Sequence, residues 1–414
     1  MASSKTIEGL TLGRGVPPLP AGPINLPCTD GSKISLSDDM ASRHTLVIGG
    51  IGSGKTVAIS HILRSVQETM TEKDVAVIFD PKGDYVRQFR RPQDHVVNDL
   101  DRATDVNPWS VTAELLASRL DYEETLQELG ATLFEDAIRR TMQPFFPLAA
   151  KDIFCAVLDV LVKQGADNSF IRRMWERLPL AELRKVLPEG VAQYIAKDDS
   201  GQTQGIISEL FQIVHALFVG RFAHKGTWSI RQALREKGGR CLFLEYDVSM
   251  ANVLLAPYRV LVDLAIKEAI SRHRVEGRVF FFLDEFRRLP RLLHIDSGVN
   301  FGRSLGARFV LGVQSVSQVR SAYEQEGDSI LSGLSNIIAF RAGDEESREY
   351  LKGRFGMARK LVWGQPNVGP LREEIATGYV MEDWDILSLP VGEVICSLWS
   401  VPPPFTATLD PYPM

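Results

Sequence analysis

The run Gly49-Gly50-Ile51-Gly52-Ser53-Gly54-Lys55-Thr56 constrains this chain more than any other stretch. It is preceded by the apolar stretch Thr45-Leu46-Val47-Ile48, which reads as a buried strand. It is followed by Val57-Ala58-Ile59-Ser60-His61-Ile62-Leu63, which reads as a helix. The pattern G-x-x-x-x-G-K-T thus has both flanks it needs, a strand before and a helix N-terminus after. Glycines let successive backbone N–H groups turn inward around a polyphosphate, and the helix N-terminus adds partial positive charge there. Lys55 is placed to reach the β- and γ-phosphates, and the Thr56 hydroxyl to join a Mg²⁺ shell. A nucleotide site is the expectation.

Composition narrows the partners. The 414 residues carry a net charge of −5, so no global basic field advertises nucleic acid. Contact with DNA then has to come from local clusters or from a pore made by assembly. The four cysteines (Cys28, Cys155, Cys241, Cys396) lie far apart without C-x-x-C spacing, and read as buried thiols. The histidines form no metal-binding pattern. No stretch reaches the roughly 18 to 20 apolar residues of a membrane span. Met1 to Lys5 shows no signal-peptide core, so a cytoplasmic location is expected, with recruitment to the inner face of a bacterial membrane as an extension.

In chain order, residues 1–43 are punctuated by Pro, Gly and Ser, with short apolar pieces such as Ile7 to Leu12 expected as edge strands. Val75 to Asp80 is a second buried parallel strand, ending in Pro81-Lys82-Gly83-Asp84. Asp80, Lys82 and Asp84 suit a nucleotide or metal site and suit a surface turn equally well. From about Val111 to Gly226 strand-like runs give way to amphipathic helices, including Asp152–Val162 and Ser208–Phe218. The α/β rhythm returns with Arg240–Tyr246, a helix over Val253–His273, Arg278–Glu285 and a helix around Leu292–Leu305. Strands Ala307–Val313 and Ser335–Arg341, separated by a helix over Ser317–Leu331, and a last strand at Glu393–Trp399 complete it. The expected fold class is α/β, a P-loop domain on a doubly wound, mostly parallel sheet with an inserted all-helical domain. Its expected boundaries are 1–110 and 227–414 for the two parts of the nucleotide domain, and 111–226 for the insertion.

Four apolar residues run into Asp284-Glu285. Downstream of a complete phosphate loop, Asp284 is expected to hold the Mg²⁺ shell and Glu285 to polarise the attacking water as general base. A binding-only switch has no need of that second acid. Gln314, after the strand Phe309–Val313, is placed to orient water beside the γ-phosphate, and Ser315 to cap the next helix. Arg303 and Arg341 are candidates to stabilise the transferring phosphoryl from a neighbouring subunit, and both are expected at the sheet edge facing the nucleotide.

The loop Gly49–Thr56, Phe79-Asp80-Pro81-Lys82-Gly83-Asp84, Asn107-Pro108-Trp109, Phe282-Leu283-Asp284-Glu285-Phe286, Gly302-Arg303-Ser304-Leu305-Gly306 and Gly312 to Gln318 occur in a recognisable order. Together they resemble the type IV secretion coupling ATPases of the TraD/TraG group, relatives of the FtsK and HerA motors. The likeness covers nearly the whole chain and is most specific from Phe282 to Gln318. It implies a RecA-like ATP- and Mg²⁺-dependent ATPase, a hexameric ring, and movement of DNA, often with an attached relaxase-like protein, towards a secretion channel. Those coupling proteins usually begin with transmembrane helices, whereas this sequence opens directly on the motor domain. Two other functions stand beside the DNA motor. One is a soluble receptor ATPase that recruits protein substrates. The other is an ATP-gated module of a DNA-processing or mobile-element defence complex.

Overall fold

A computed structural model describes residues 5–9, 12–98, 108–177, 179–245, 248–289, 291–364 and 372–412. Asn107 and Tyr246 lie outside them. Nine strands carry the architecture: β1 (Thr45–Ile48), β2 (Val75–Asp80), β3 (His95–Val97), β4 (Arg240–Glu245), β5 (Val279–Leu283), β6 (Ala307–Val313), β7 (Asn336–Ala339), β8 (Glu393–Leu398) and β9 (Val401–Thr408). The chain divides into two compact units, one of residues 1–71, 280–288 and 299–414, the other of residues 72–279 and 289–298.

The first unit centres on β1, all four residues of which are buried. Both neighbours of β1 run parallel to it, β6 with Val313 opposite Ile48 and β7 with Ala339 opposite Ile48. Beyond β6 lies β5; beyond β7 come β8, β9 and the short strand Gly13–Arg14. Strand β8 runs antiparallel to both β7 and β9. Parallel strands buried on both faces need continuous apolar runs, as in Val-Phe-Phe-Phe-Leu of β5. Phe281 of β5 stacks on Phe309 of β6 with ring centroids 4.7 Å apart. The strand β9 was not foreseen. Its Val-Pro-Pro-Pro start argues against a central strand, and it lies towards the margin of the sheet, where proline costs least.

Two helical expectations need adjustment. The stretch after β5 forms a shorter helix, Ile295–Phe301, followed by the 3₁₀ turn Gly302–Leu305. The stretch after β6 forms two helices, Val316–Tyr323 and Gln325–Gly333, broken at Glu324, whose φ is +50°. Gly327 permits this fold-back, because a Cβ there would sit 2.9 Å from Arg320 Cα.

The second unit has β2, β4 and β3 side by side in that order, all parallel. Between Val111 and Glu236 every described element is helical. A buried acid organises the junction. Glu114, on the helix Val111–Leu116, accepts from Trp109 Nε1 at 2.9 Å and from the Ser229 hydroxyl at 2.8 Å. It also accepts from the backbone N–H groups of Ile230 and Arg231, so one carboxylate caps the helix Ile230–Glu236. Arg231, almost wholly buried, in turn pairs with Asp121 at 2.6 Å and Glu268 at 2.9 Å. Trp109 of the Asn-Pro-Trp motif therefore serves packing.

A second ionic cluster ties the segment before Ile295 to the helices. The His294 ring nitrogens lie 3.1 Å from Asp263 Oδ2 and 3.3 Å from Glu128 Oε2, and Thr132 donates to Asp263 at 2.7 Å. Burial alone would lower the His294 pKa; the two carboxylates outweigh it and raise it to about 9. A histidine raised above its unfolded value of about 6.5 stabilises the fold fully below that pH and ceases to as pH rises through 9. Thermal unfolding of the wild type should therefore lose on the order of 2 kcal/mol between pH 6.5 and pH 9.5. A His294→Gln variant should be flatter across that window.

Candidate nucleotide site

The phosphate loop hangs from three points of the first unit. The Gly49 N–H donates to Val313 O at 3.2 Å, the Gly50 N–H donates to Arg341 O at 2.8 Å, and Ser53 O accepts from the Gly392 N–H at 3.2 Å. Two glycines turn the loop through left-handed backbone, Gly52 at φ +71° and Gly54 at +118°. Gly54 is also the last residue before the helix Lys55–Thr69, and a Cβ on it would meet the Phe340 ring at 2.7 Å. Phe340, directly after β7, is thus the floor of the loop. Only its place in an apolar strand was visible in the sequence.

Within this cradle the Lys55 ammonium donates to Gly49 O at 2.7 Å and Gly50 O at 2.9 Å. The Thr56 hydroxyl donates to Asp284 Oδ2 at 3.3 Å. This contact brings the phosphate loop and the Asp284-Glu285 pair into one site. Room for Asp284 comes from Gly312 on β6, where a Cβ would lie 2.5 Å from Oδ1. Asp284 and Glu285 are both buried. Glu285 holds a left-handed φ of +54°, and its N–H donates to Asp284 Oδ1 at 2.9 Å. Gln314 Nε2 donates to both carboxylate oxygens of Glu285, at 2.9 and 2.7 Å. Ser315 accepts from the Ser317 N–H, capping the helix Val316–Tyr323, and donates to Asp344 at 2.9 Å.

The arginines separate. Arg341 follows β7, its carbonyl holds the Gly50 N–H, and its side chain is exposed. Arg303 does not lie at the nucleotide edge. It precedes β6 whereas Gln314 follows it, so seven extended residues, roughly 23 Å, separate the two ends. There its guanidinium donates to Asp39 Oδ1 at 2.8 Å and Ser42 Oγ at 3.1 Å. An extended strand lies between Arg303 and Gln314, so proximity in sequence became distance in space.

In the second unit, Asp80 is committed to backbone. Its two oxygens accept from the N–H groups of Asp84 at 3.1 Å and Val86 at 2.9 Å, closing the turn into the helix Asp84–Phe89. Burial, with Glu245 beside it on β4, pushes its pKa up to about 6. For Asp80 the turn reading holds; Asp84 pairs with Arg87, and Lys82 is exposed.

Fold and site together define a P-loop protein of the α/β, RecA-like class. Residues 29–362 match the model of the type IV secretion-system coupling protein DNA-binding domain, and the chain belongs to that family. Coupling protein TraD of Escherichia coli (strain K12) is 24% identical over 381 residues, covering 87% of this chain and 51% of TraD. Conjugal transfer protein TraG of Agrobacterium fabrum (strain C58 / ATCC 33970) is 28% identical over 355 residues, covering 80% of this chain and 52% of TraG. The chain thus spans about half the length of these relatives. Among solved structures, the plasmid coupling protein TrwB in complex with ADP and Mg²⁺ superposes with a TM-score of 0.77 at 20% identity, covering 99% of this chain and 95% of that one. TrwB with a non-hydrolysable ATP analogue gives 0.78, covering 98% and 94%. Among the described residues no helix is long and apolar enough to cross a membrane.

Gly54→Ala tests the cradle. The left-handed backbone and the Phe340 ring both oppose a methyl group, so the substitution should cost about 1–3 kcal/mol. A lowered urea midpoint together with weakened nucleotide binding is the expected result.

Proposed function

We propose that this chain is the ATP-hydrolysing part of a coupling protein that moves DNA through a ring of like subunits, most simply a hexamer. The observation that carries the reading is the Thr56–Asp284–Glu285 juxtaposition, which adds a proton acceptor to a phosphate loop. TrwB, solved with an ATP analogue and with ADP and Mg²⁺, and the family's description as a DNA-binding domain support the choice of ATP and DNA.

Lys55 exchanges its carbonyl partners for the β- and γ-phosphate oxygens, stronger acceptors because they are charged. The Thr56 hydroxyl and Asp284 Oδ2 are hard oxygen donors 3.3 Å apart, and they fit a Mg²⁺ ion. The ion, when bound, neutralises charge developing on the phosphates. Glu285, itself buried, accepts a proton from the attacking water. Arg303, too far from its own loop, acts on a neighbour's nucleotide; Arg341 serves the loop beside it. The helical segment 111–226 engages the substrate, and a relaxase-like protein arrives with the DNA at the cytoplasmic face of the membrane.

A second reading, a receptor that recruits protein, is favoured by apolar exposure on the helical segment. Met142 is 99% exposed, with Phe145 and Leu148 following it at 43% and 41%.

Lys55→Ala should abolish hydrolysis and weaken ATP binding. Glu285→Gln should still bind ATP while turnover falls by about 10²–10⁴-fold. Wild-type turnover in either would remove that residue from its role. Arg303→Ala should lower turnover by about 10³-fold without loss of ATP affinity. Mixing it with Lys55→Ala subunits should restore part of the activity, since donor and acceptor sites then complement. ATPase assays with and without DNA separate the motor from the protein receptor: DNA stimulates the first, and a protein partner alone stimulates the second.

A further inference from the structure

Two side chains of one short helix grip Arg303. The helix Asp38–Ser42 is capped by Ser37, whose hydroxyl accepts the Met40 N–H, and it ends just before β1. Asp39 and Ser42 stand three residues apart on it and so share a face. Ser42 Oγ donates its proton to Asp39 O at 2.6 Å, which leaves its lone pairs to accept from Arg303 Nε at 3.1 Å. Asp39 Oδ1 accepts from Arg303 Nη2 at 2.8 Å. The Arg303 carbonyl is held as well, by Arg308 Nη1 at 3.1 Å.

That helix is itself fixed to the amino ends of the strands whose carboxyl ends carry the phosphate loop and Gln314. Asn336, the first residue of β7, donates through Nδ2 to Met40 O at 2.6 Å and to His44 O at 2.9 Å. His44 Nδ1 accepts from the Phe309 N–H of β6 at 3.1 Å. Asp39 Oδ2 meanwhile accepts from Arg43 Nε at 3.4 Å, and the Arg43 guanidinium lies 3.7 Å over the Trp399 ring. Each oxygen of the Asp39 carboxylate thus serves one arginine.

A guanidinium is planar and presents its N–H groups along separate edges. With the Nε–Nη2 edge turned to Ser42 and Asp39, the Nη1–Nη2 edge looks away from the helix, and among the described residues Nη1 has no partner. Two parallel N–H groups on that edge suit two oxygens of a phosphoryl group. The Arg303 side chain is 43% exposed and that of Asp39 57%. An ion pair this exposed adds little to stability. An arginine arm left unheld samples many rotamers, however, and orientation alters rates by orders of magnitude.

We propose that Asp39 and Ser42 are positioning residues, holding the Arg303 guanidinium by one edge so that the opposite edge meets the γ-phosphoryl group on a neighbouring copy. The proposal rests on the trans-acting reading of Arg303 above. It gives a surface ion pair a role in rate and almost none in stability.

The test is steady-state ATPase measurement on the full chain, with Asp39→Ala and Ser42→Ala made singly and together, each also in an Arg303→Ala background. Ser42 bonds Arg303 and not Arg43, so Ser42→Ala probes the grip on Arg303 alone. Each substitution should lower kcat by about tenfold and the pair by about 10²-fold, with KM for ATP changed by less than about twofold. In the Arg303→Ala background they should lower it no further. Mixing the double variant with Lys55→Ala subunits should restore part of the turnover, because the variant keeps its own acceptor site and lacks only an aimed donor. A merely structural defect would add to the Arg303→Ala loss and resist such mixing. Either of those results, or undiminished turnover in both single variants, would overturn the positioning. Wild-type turnover in Arg303→Ala itself would instead overturn the trans-acting reading, so that one variant tells the two failures apart.

Discussion

The register of β1 between two parallel neighbours governs the rest of the first unit. With Ile48 opposite both Val313 and Ala339, three strands end level. The segments leaving their carboxyl ends must then share one edge: the phosphate loop after β1, Gln314 after β6, Phe340 and Arg341 after β7. A slip of one residue would turn every side chain of a strand to the other face and take the amide away from the carboxylate. Continuous apolar burial on both faces fixes that register, so the chemistry of the site is set by packing several residues away.

Charge is used differently in the second unit. Glu114, Arg231, Asp121 and Glu268 are buried and bonded mostly to backbone or to one another. Such a group is costly to leave unpaired and adds little when replaced whole by apolar packing. Its fitting use here is to fix which helix meets which. Asp80 belongs to the same class. A carboxylate at the carboxyl end of a parallel strand invites a ligand role, yet both of its oxygens are taken by the turn after the strand.

Much of this was legible in the sequence. Strands with unbroken apolar runs, the phosphate loop and the Asp284-Glu285 pair could be placed because each is a local pattern with a local cause. The features that escaped notice depend on contacts between distant residues. Phe340 beneath Gly54, Gly312 making room for Asp284, and Gly392 tied to Ser53 leave no periodic trace. The break at Glu324 required a residue with positive φ in a stretch that reads as continuous helix. Three prolines concealed β9, since a strand near the margin of a sheet obeys rules that a central strand does not. Arg303 was misplaced because a strand converts short separation in sequence into long separation in space.

The place of Arg303 gives the chain a polarity. On the trans-acting reading, a donor stands at one end of β6 and the site that needs such a donor opens at the other. An isologous two-fold pair serves both sites only where donor and site share one face, each meeting the other across the axis. Where they stand on different faces, a heterologous contact, each copy turned the same way, meets the requirement, and such contacts either close on themselves or extend indefinitely. In an open row the copy at one end would keep an unassisted nucleotide, while the copy at the other end would offer an arginine to nothing. Closure is the arrangement in which no copy is left over.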